Sequence, residues 1–513
     1  MDVLGRKKAV LLAVLCLGTG GVAAGGEVPG RVAALVRRGQ AALDAGDPAE
    51  AFGAWRRLNL LAVGRPELLD EAELGLGRSW LMIGKTQFAL GYARQVLRRE
   101  PKSAGGWALL VRALLRGGDF AGALRQARRG AGLGLLEVPI FRAAHASALY
   151  RNQKLEEARK QYRILLRQNP LYPEALVRMG TGLIAPRPAP AAPSLRRAVA
   201  LQRSGNFDQA LQLVRSFLEK DPGHPIALRL AGEWLFEASR LRGPLLAGDR
   251  LPQAWILLDD QALRRDTLSS FFPGYTKLSP ERQLQVRVSL RPFAEELPIL
   301  LARGGRHDLL GEWERTTDAK ERAWLRGQKT FDGRVWDDVR GMGGLRAATG
   351  VEALDEAREG GFQTLVHELA HQVHLYLFSA KERREIRGMF EKARRTHRTL
   401  DYYAAANEAE YFAQGVEAWV SLWKAAGQPV THGHTRFELA RRDPELFQWI
   451  ERRFGPSVLD SPKGRFFART AFDFALETAH LDDARALLPR LAPRDQSRAR
   501  SALRQASLLF RGL

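Results

Sequence analysis

His367-Glu368-Leu369-Ala370-His371 is the stretch from which the rest of the chain is read. On a helix, which turns about 100° per residue, His367 and His371 stand one turn apart on one face, as two imidazoles holding one Zn²⁺ must. Glu368 sits beside them, placed to take a proton from a water that the metal holds rather than to bind the metal itself. Phe362, Leu365, Leu369 and Val373 recur at helical spacing, so they are expected to bury on the side away from the histidines. His374, at i+7 from His367, shares the histidine face and is expected to line the cleft or support the ligands.

A site of this kind needs a third protein ligand and leaves a fourth position to water. Glu408, Glu410 and Glu417 compete for that place within one short helix. Glu408 points about 200° away from Glu410, so those two cannot both face the metal. Between Glu410 and Glu417 helix geometry does not choose. The segment Tyr403-x-x-x-Asn407-Glu408-Ala409-Glu410-Tyr411-Phe412-Ala413, following the H-E-x-x-H, resembles the catalytic domain of anthrax toxin lethal factor and related zinc endopeptidases of the gluzincin type. The resemblance implies His367, His371 and Glu410 as zinc ligands, Glu368 as general base and Tyr403 as a hydroxyl donor to the developing oxyanion. It departs at Gln414, where the toxin pattern has another acid.

Other zinc families fit less well. A metzincin needs Gly at 374 and His at 377, where this chain has His374 and Leu377. A thermolysin-like ligand would fall near Glu385 or Glu391, inside the basic stretch Lys381–Arg398, which reads as a solvated helix face. Upstream, Val335-Trp336-Asp337-Asp338-Val339-Arg340 has strand-like residue types and runs into Gly341, Gly343 and Gly344. Glycine there permits close backbone approach, and the run is a candidate sheet edge for an extended peptide.

At 513 residues the chain has room for two or three domains. Residues 1–26 have the form of a secretory signal peptide: Arg6, Lys7 and Lys8, then apolar Ala9–Leu17, then Val22-Ala23-Ala24. Export to a secreted or periplasmic location is expected, and cleavage would remove Cys16, the only cysteine, so the mature protein would hold no disulfide. No other segment reaches the apolar length of a membrane span. The net charge of +22 favours acidic partners but is spread along an arginine-rich chain. No aromatic-interleaved basic cluster marks a specific nucleic-acid site.

The first half repeats. Markers of the form Gly-x-x-x-x-Ala occur at Gly46/Ala51, Gly84/Ala89, Gly118/Ala123 and Gly205/Ala210, with Gln153/Ala158 in phase. Pro101, Pro170 and Pro222 follow three of these markers at one common distance, where each would end the second helix of a unit. The pattern resembles the tetratricopeptide repeat, which implies stacked helix pairs with a concave face for a protein partner. Trp107, Phe120 and Tyr162 are expected in the repeat core. Pro186, Pro188, Pro190 and Pro193 form a stiff linker between repeats.

The chain is therefore expected to be mostly α: a tetratricopeptide-like superhelix over 27–240 with its proline-rich linker at 186–193, an α+β zincin-like metallopeptidase domain over 245–460, and a C-terminal helical segment over 461–513. The expected function is zinc-dependent hydrolysis of a peptide or protein substrate, with the repeats recruiting substrate or partner. The competing expectation is a repeat-based binding scaffold whose zincin-like domain is inactive.

Overall fold

The computed structural model describes residues 30–62, 65–181, 192–240, 250–259, 263–331, 333–426 and 434–510. The leader and most of the proline-rich linker lie outside them. Among the described residues the chain is mostly helical, as its periodicity predicts, with one small sheet in its second half.

The repeat markers explain the first half. Gly46, Gly84, Gly118 and Gly205 all take left-handed backbone conformations between consecutive helices, and Gln153 does the same without being glycine. The alanine five residues after each marker, Ala51, Ala89, Ala123, Ala158 and Ala210, is fully buried where the second helix crosses the first. Helices Thr86–Arg99, Leu155–Gln168 and Phe207–Lys220 each stop just short of the proline expected to end them. Pro193 opens the helix Pro193–Arg203. Helices Pro173–Gly180 and Pro225–Arg240 cross closely, since a Cβ at Gly180 would fall 2.3 Å from the backbone nitrogen of Arg229. Tyr162 is buried in the repeat core as expected, whereas Phe120 turns its ring outward onto Tyr402.

The sheet consists of β1 (Arg306–Leu310), β2 (Gly341–Met342) and β3 (Arg346–Gly350) in the order β1-β3-β2. β1 runs parallel to β3, pairing His307 with Ala347, while β2 runs antiparallel at the edge, pairing Met342 with Ala348. The strand-like run 335–340 is not itself the edge. Asp337 accepts from Thr317 Oγ1 at 2.7 Å and from the Gly327 amide at 2.8 Å, which draws Trp336–Asp338 into a 3-10 turn, and the strand begins at Gly341.

The helix Thr364–Tyr376 carries the histidine motif and lies against this sheet. Gln372 ties the two: its amide donates to the carbonyls of Arg306 (3.2 Å) and Leu345 (3.0 Å), and its oxygen meets His307 Nδ1 at 3.0 Å. Leu365, Leu369 and Val373 bury in a core with Phe271, Phe293, Phe412 and Ile450. Phe362 does not join them. It precedes the helix and turns its ring toward His367, centroids 5.3 Å apart. His374 is fully buried, its ring against Phe378 and Phe412 and its Nε2 3.7 Å from Glu408 Oε1. Among the described residues, no helix is long and apolar enough to cross a membrane.

Candidate metal centre and active site

Two helices and one turn build the site. The motif helix presents His367 and His371, whose Nε2 atoms lie 3.1 Å apart. The helix Glu408–Val420 begins where Asn407 caps it, the Asn407 side chain accepting from the Glu410 amide at 2.9 Å. That cap sets Glu410 in the first turn, with its Oε2 3.1 Å from His367 Nε2 and 3.3 Å from His371 Nε2. Three donors thus form a nearly equilateral triangle. Ligands about 2.0–2.1 Å from a tetrahedral ion are separated by about 3.3–3.4 Å, so the triangle suits three corners of one such ion and leaves the fourth open. Two imidazoles and one carboxylate are also the ligand chemistry that zinc prefers.

The other carboxylates are engaged elsewhere. Glu408 pairs with Arg387 at 2.7 Å and lies 3.7 Å from His374. Glu417 is fully buried against Lys424 and accepts from the Gln363 amide at 2.9 Å, fixing the start of the motif helix. It is a structural lock rather than a competitor for the metal. Glu385 projects from the helix Ala380–Arg395 and accepts from Trp449 Nε1 at 2.9 Å.

Glu368 is buried beside the triangle, and ligating atoms of His367, Glu368 and His371 lie within 4.8 Å of one another. The shorter contacts of Glu410 with both imidazoles make it the better third donor and leave the Glu368 carboxyl beside the triangle rather than in it. Burial, reinforced by the Glu410 charge, pushes the Glu368 carboxyl up to about 8, with His371 and Arg334 opposing. Burial would also raise Glu410, yet its hydrogen bonds with both histidines hold it far below the usual carboxylate range. His371 moves the other way, its loss through burial outweighed by the contact with Glu410.

The sheet edge closes over these groups. A Cβ at Gly341 would fall 2.7 Å from Glu368 Oε1, and one at Gly343 would fall 2.8 Å from the His371 Cβ. A side chain at Gly343 would run into the fixed Cβ of His371, and one at Gly341 would displace the Thr364 methyl and the Glu368 carboxyl.

Tyr403 stands on the turn 401–406, its ring centroid 6.3 Å from that of His367. Arg334 Nη2 donates to the Tyr403 hydroxyl at 3.3 Å, and Phe331 packs on the ring at 5.0 Å. The turn is shaped by Asp401, whose Oδ1 accepts from the amides of Tyr403 (2.9 Å) and Ala404 (2.8 Å). Its Oδ2 meets His434 Nε2 at 3.1 Å. Arg334 and His434 lie outside every motif, one of many arginines and one histidine far along the chain. Asp401 carried a signal, because an aspartate two residues before Tyr403 is in the position to form an Asx-turn.

A family model for the tetratricopeptide repeat matches residues 74–133, 143–185 and 195–255. The last match runs past Arg240, where the repeat phase is lost in the sequence, into the helix Arg250–Leu258, whose Leu251 and Trp255 pack with Trp423 and Phe467 of the second half. No curated protein matches the chain. Among solved structures, a PRO-PRO endopeptidase from Paenibacillus alvei is similar at 22% identity over 37% of this chain and 100% of that one, with a TM-score of 0.28.

Proposed function

We propose that the protein is an exported zinc-dependent endopeptidase whose helical repeats hold a protein substrate or partner. The observation that carries this reading is the donor triangle of His367, His371 and Glu410 with a buried carboxyl, Glu368, beside its open corner. A zinc ion bound there supplies Lewis acidity and acidifies its water toward neutrality. Glu368, raised to about 8 by burial, would be drawn down by the charge of a bound Zn²⁺, and in its ionised form it accepts the proton of the attacking water and returns it to the leaving amine. Tyr403, steadied by Arg334, donates its hydroxyl to the carbonyl oxygen as negative charge grows on it. The substrate's extended backbone would lie along the free edge of β2, the strand nearest Glu368. Export is supported by the basic, apolar and small-residue order of the leader, and N-terminal sequencing of the mature protein tests it.

Glu368→Gln keeps the shape of the side chain but cannot take the proton. The expected result is full zinc, unchanged folding and no cleavage of a mixed peptide library. Zinc without cleavage in the wild type would favour a binding scaffold instead. Tyr403→Phe should lower kcat by about 10²-fold with little change in KM or zinc content, as for an interaction made in the transition state. An unchanged kcat would remove Tyr403 from the mechanism.

A further inference from the structure

We infer that the repeat module is a structural part of the active site, with Phe120 as a positioning residue for Tyr403; this rests on the role proposed above for that tyrosine. Two consecutive repeat turns touch the two segments that hold Tyr403. The first is the turn between helices Ala104–Arg116 and Phe120–Gly132. Gly118 has φ of +82° there, and a Cβ on it would fall 2.7 Å from both Cβ and Cγ of Tyr402, so the repeat backbone rests directly on Tyr402. Phe120 meets the Tyr402 ring edge-on at 5.3 Å and 85°. The other side of Phe120 is held too, by the Arg151 guanidinium 5.4 Å from its ring centre, while its carbonyl accepts from Asn152 Nδ2 at 2.7 Å.

The second turn lies between helices Pro139–Arg151 and Leu155–Gln168. Gln153 Oε1 accepts from Lys329 Nζ at 3.2 Å, and a Cβ on Gly333 would fall 3.0 Å from the Arg151 carbonyl oxygen. Gly333 adjoins Arg334, the residue that holds the Tyr403 hydroxyl, and the same segment carries Phe331 against the Tyr403 ring. One repeat turn therefore fixes the residue before Tyr403, and the next supports the segment that covers it. A bare recruiting module would have no need to seat its turns here. Displacing a catalytic group by about 1 Å is enough to cost orders of magnitude in rate.

The test uses the full-length, zinc-loaded protein and the variants Phe120→Ala, Phe120→Leu and Tyr402→Phe. Amide hydrogen exchange across residues 401–406 reads the position of the turn without reference to activity. Phe120→Ala is expected to speed exchange there about tenfold or more, while Phe120→Leu and Tyr402→Phe, which keep apolar bulk at the contact, stay near wild type. Kinetically, Phe120→Ala should lower kcat about tenfold with KM and zinc stoichiometry unchanged, and should add nothing further in a Tyr403→Phe background. Unchanged exchange in Phe120→Ala overturns the inference. So does a full additional loss of kcat in the double variant, which would show Phe120 acting by another route. If the wild type cleaves no peptide at all, the peptidase reading falls while the exchange data still decide whether the repeats hold the turn.

Discussion

Each carboxylate near the histidines has a different electrostatic position, and the differences assign their roles. Glu410 touches both imidazoles, so Glu410→Ala is expected to lose bound zinc and activity together. Glu408 pairs with a mostly exposed Arg387 on the solvent side of the helix and touches neither His367 nor His371, so Glu408→Ala should retain zinc. Zinc stoichiometry on the two purified variants checks this, and full occupancy in Glu410→Ala would sink the ligand set. A second residue-scale expectation concerns pH. Burial alone would lower the His434 imidazole, but Glu438 (3.0 Å from Nδ1) and Asp401 (3.1 Å from Nε2) outweigh it and hold it up at about 10. Burial alone would raise its partner Glu438, but His434, with His480 and Arg442 also facing it, outweighs that and holds it low. Since the folded value lies above the unfolded one of about 6.5, the folded state binds the extra proton. The stabilisation is complete below about 6.5 and is lost as pH rises through about 10. Denaturation midpoints at pH 6, 8 and 10 should fall more steeply for the wild type than for His434→Gln; parallel slopes would contradict the assignment.

Elements carry the next level of constraint. The motif helix starts where the Glu417 carboxylate receives the Gln363 amide and Lys424, and Lys424 in turn donates to the Gly361 carbonyl at 3.0 Å. Both charged groups are fully buried. Glu417→Ala strands the ammonium of Lys424, and losing one partner of such a pair costs about 3–5 kcal/mol. The expected phenotype is a lower melting temperature, with zinc affinity falling because the helix end loosens. Replacing both residues with apolar ones should recover much of the stability, and a double variant no better than Glu417→Ala would refute the pairing argument. This lock shows where sequence reading ended. Helix periodicity placed Glu417 on the stripe of Glu410, but it cannot say which of two stripe residues meets a lysine seven positions on. The repeat turns, by contrast, were legible because a left-handed turn followed by a small crossing residue is a local requirement, met even by Gln153. The edge strand was half legible. Gly341 and Gly343 announced the close approach, while the turn at Trp336–Asp338 depended on Thr317 and Gly327, distant residues that no local pattern exposes. Phe120 was misplaced for the same reason, since an aromatic at a repeat position looks like core until its partner, Tyr402, is known.

Over the whole molecule, the repeats and the second half are joined at several seams rather than by one linker. Near the last repeats, Glu312 accepts from Arg203 at 2.7 Å and Arg282 at 3.3 Å, and Trp313 packs into the repeat core. In the middle, Gly118 and Phe120 rest on Tyr402. At the first repeats the C-terminal segment returns: Phe510 meets Phe52 edge-on at 5.3 Å, and Arg56 donates to the Leu508 carbonyl at 3.1 Å. The helix Pro493–Leu509 also buries Ala499 and Leu503 with Trp423 and Phe474, so one helix serves two cores. Domains joined this extensively should not melt apart. Calorimetry of the wild type is expected to show one cooperative transition. Phe510 is 9% exposed, and Phe510→Ala should cost about 3 kcal/mol. That loss should shift the single transition downward as a whole, since the Glu312 and Tyr402 seams still couple the halves. A separate low-temperature transition of the repeats in the wild type would show instead that the seams are weak and that the repeats are an independent appendage.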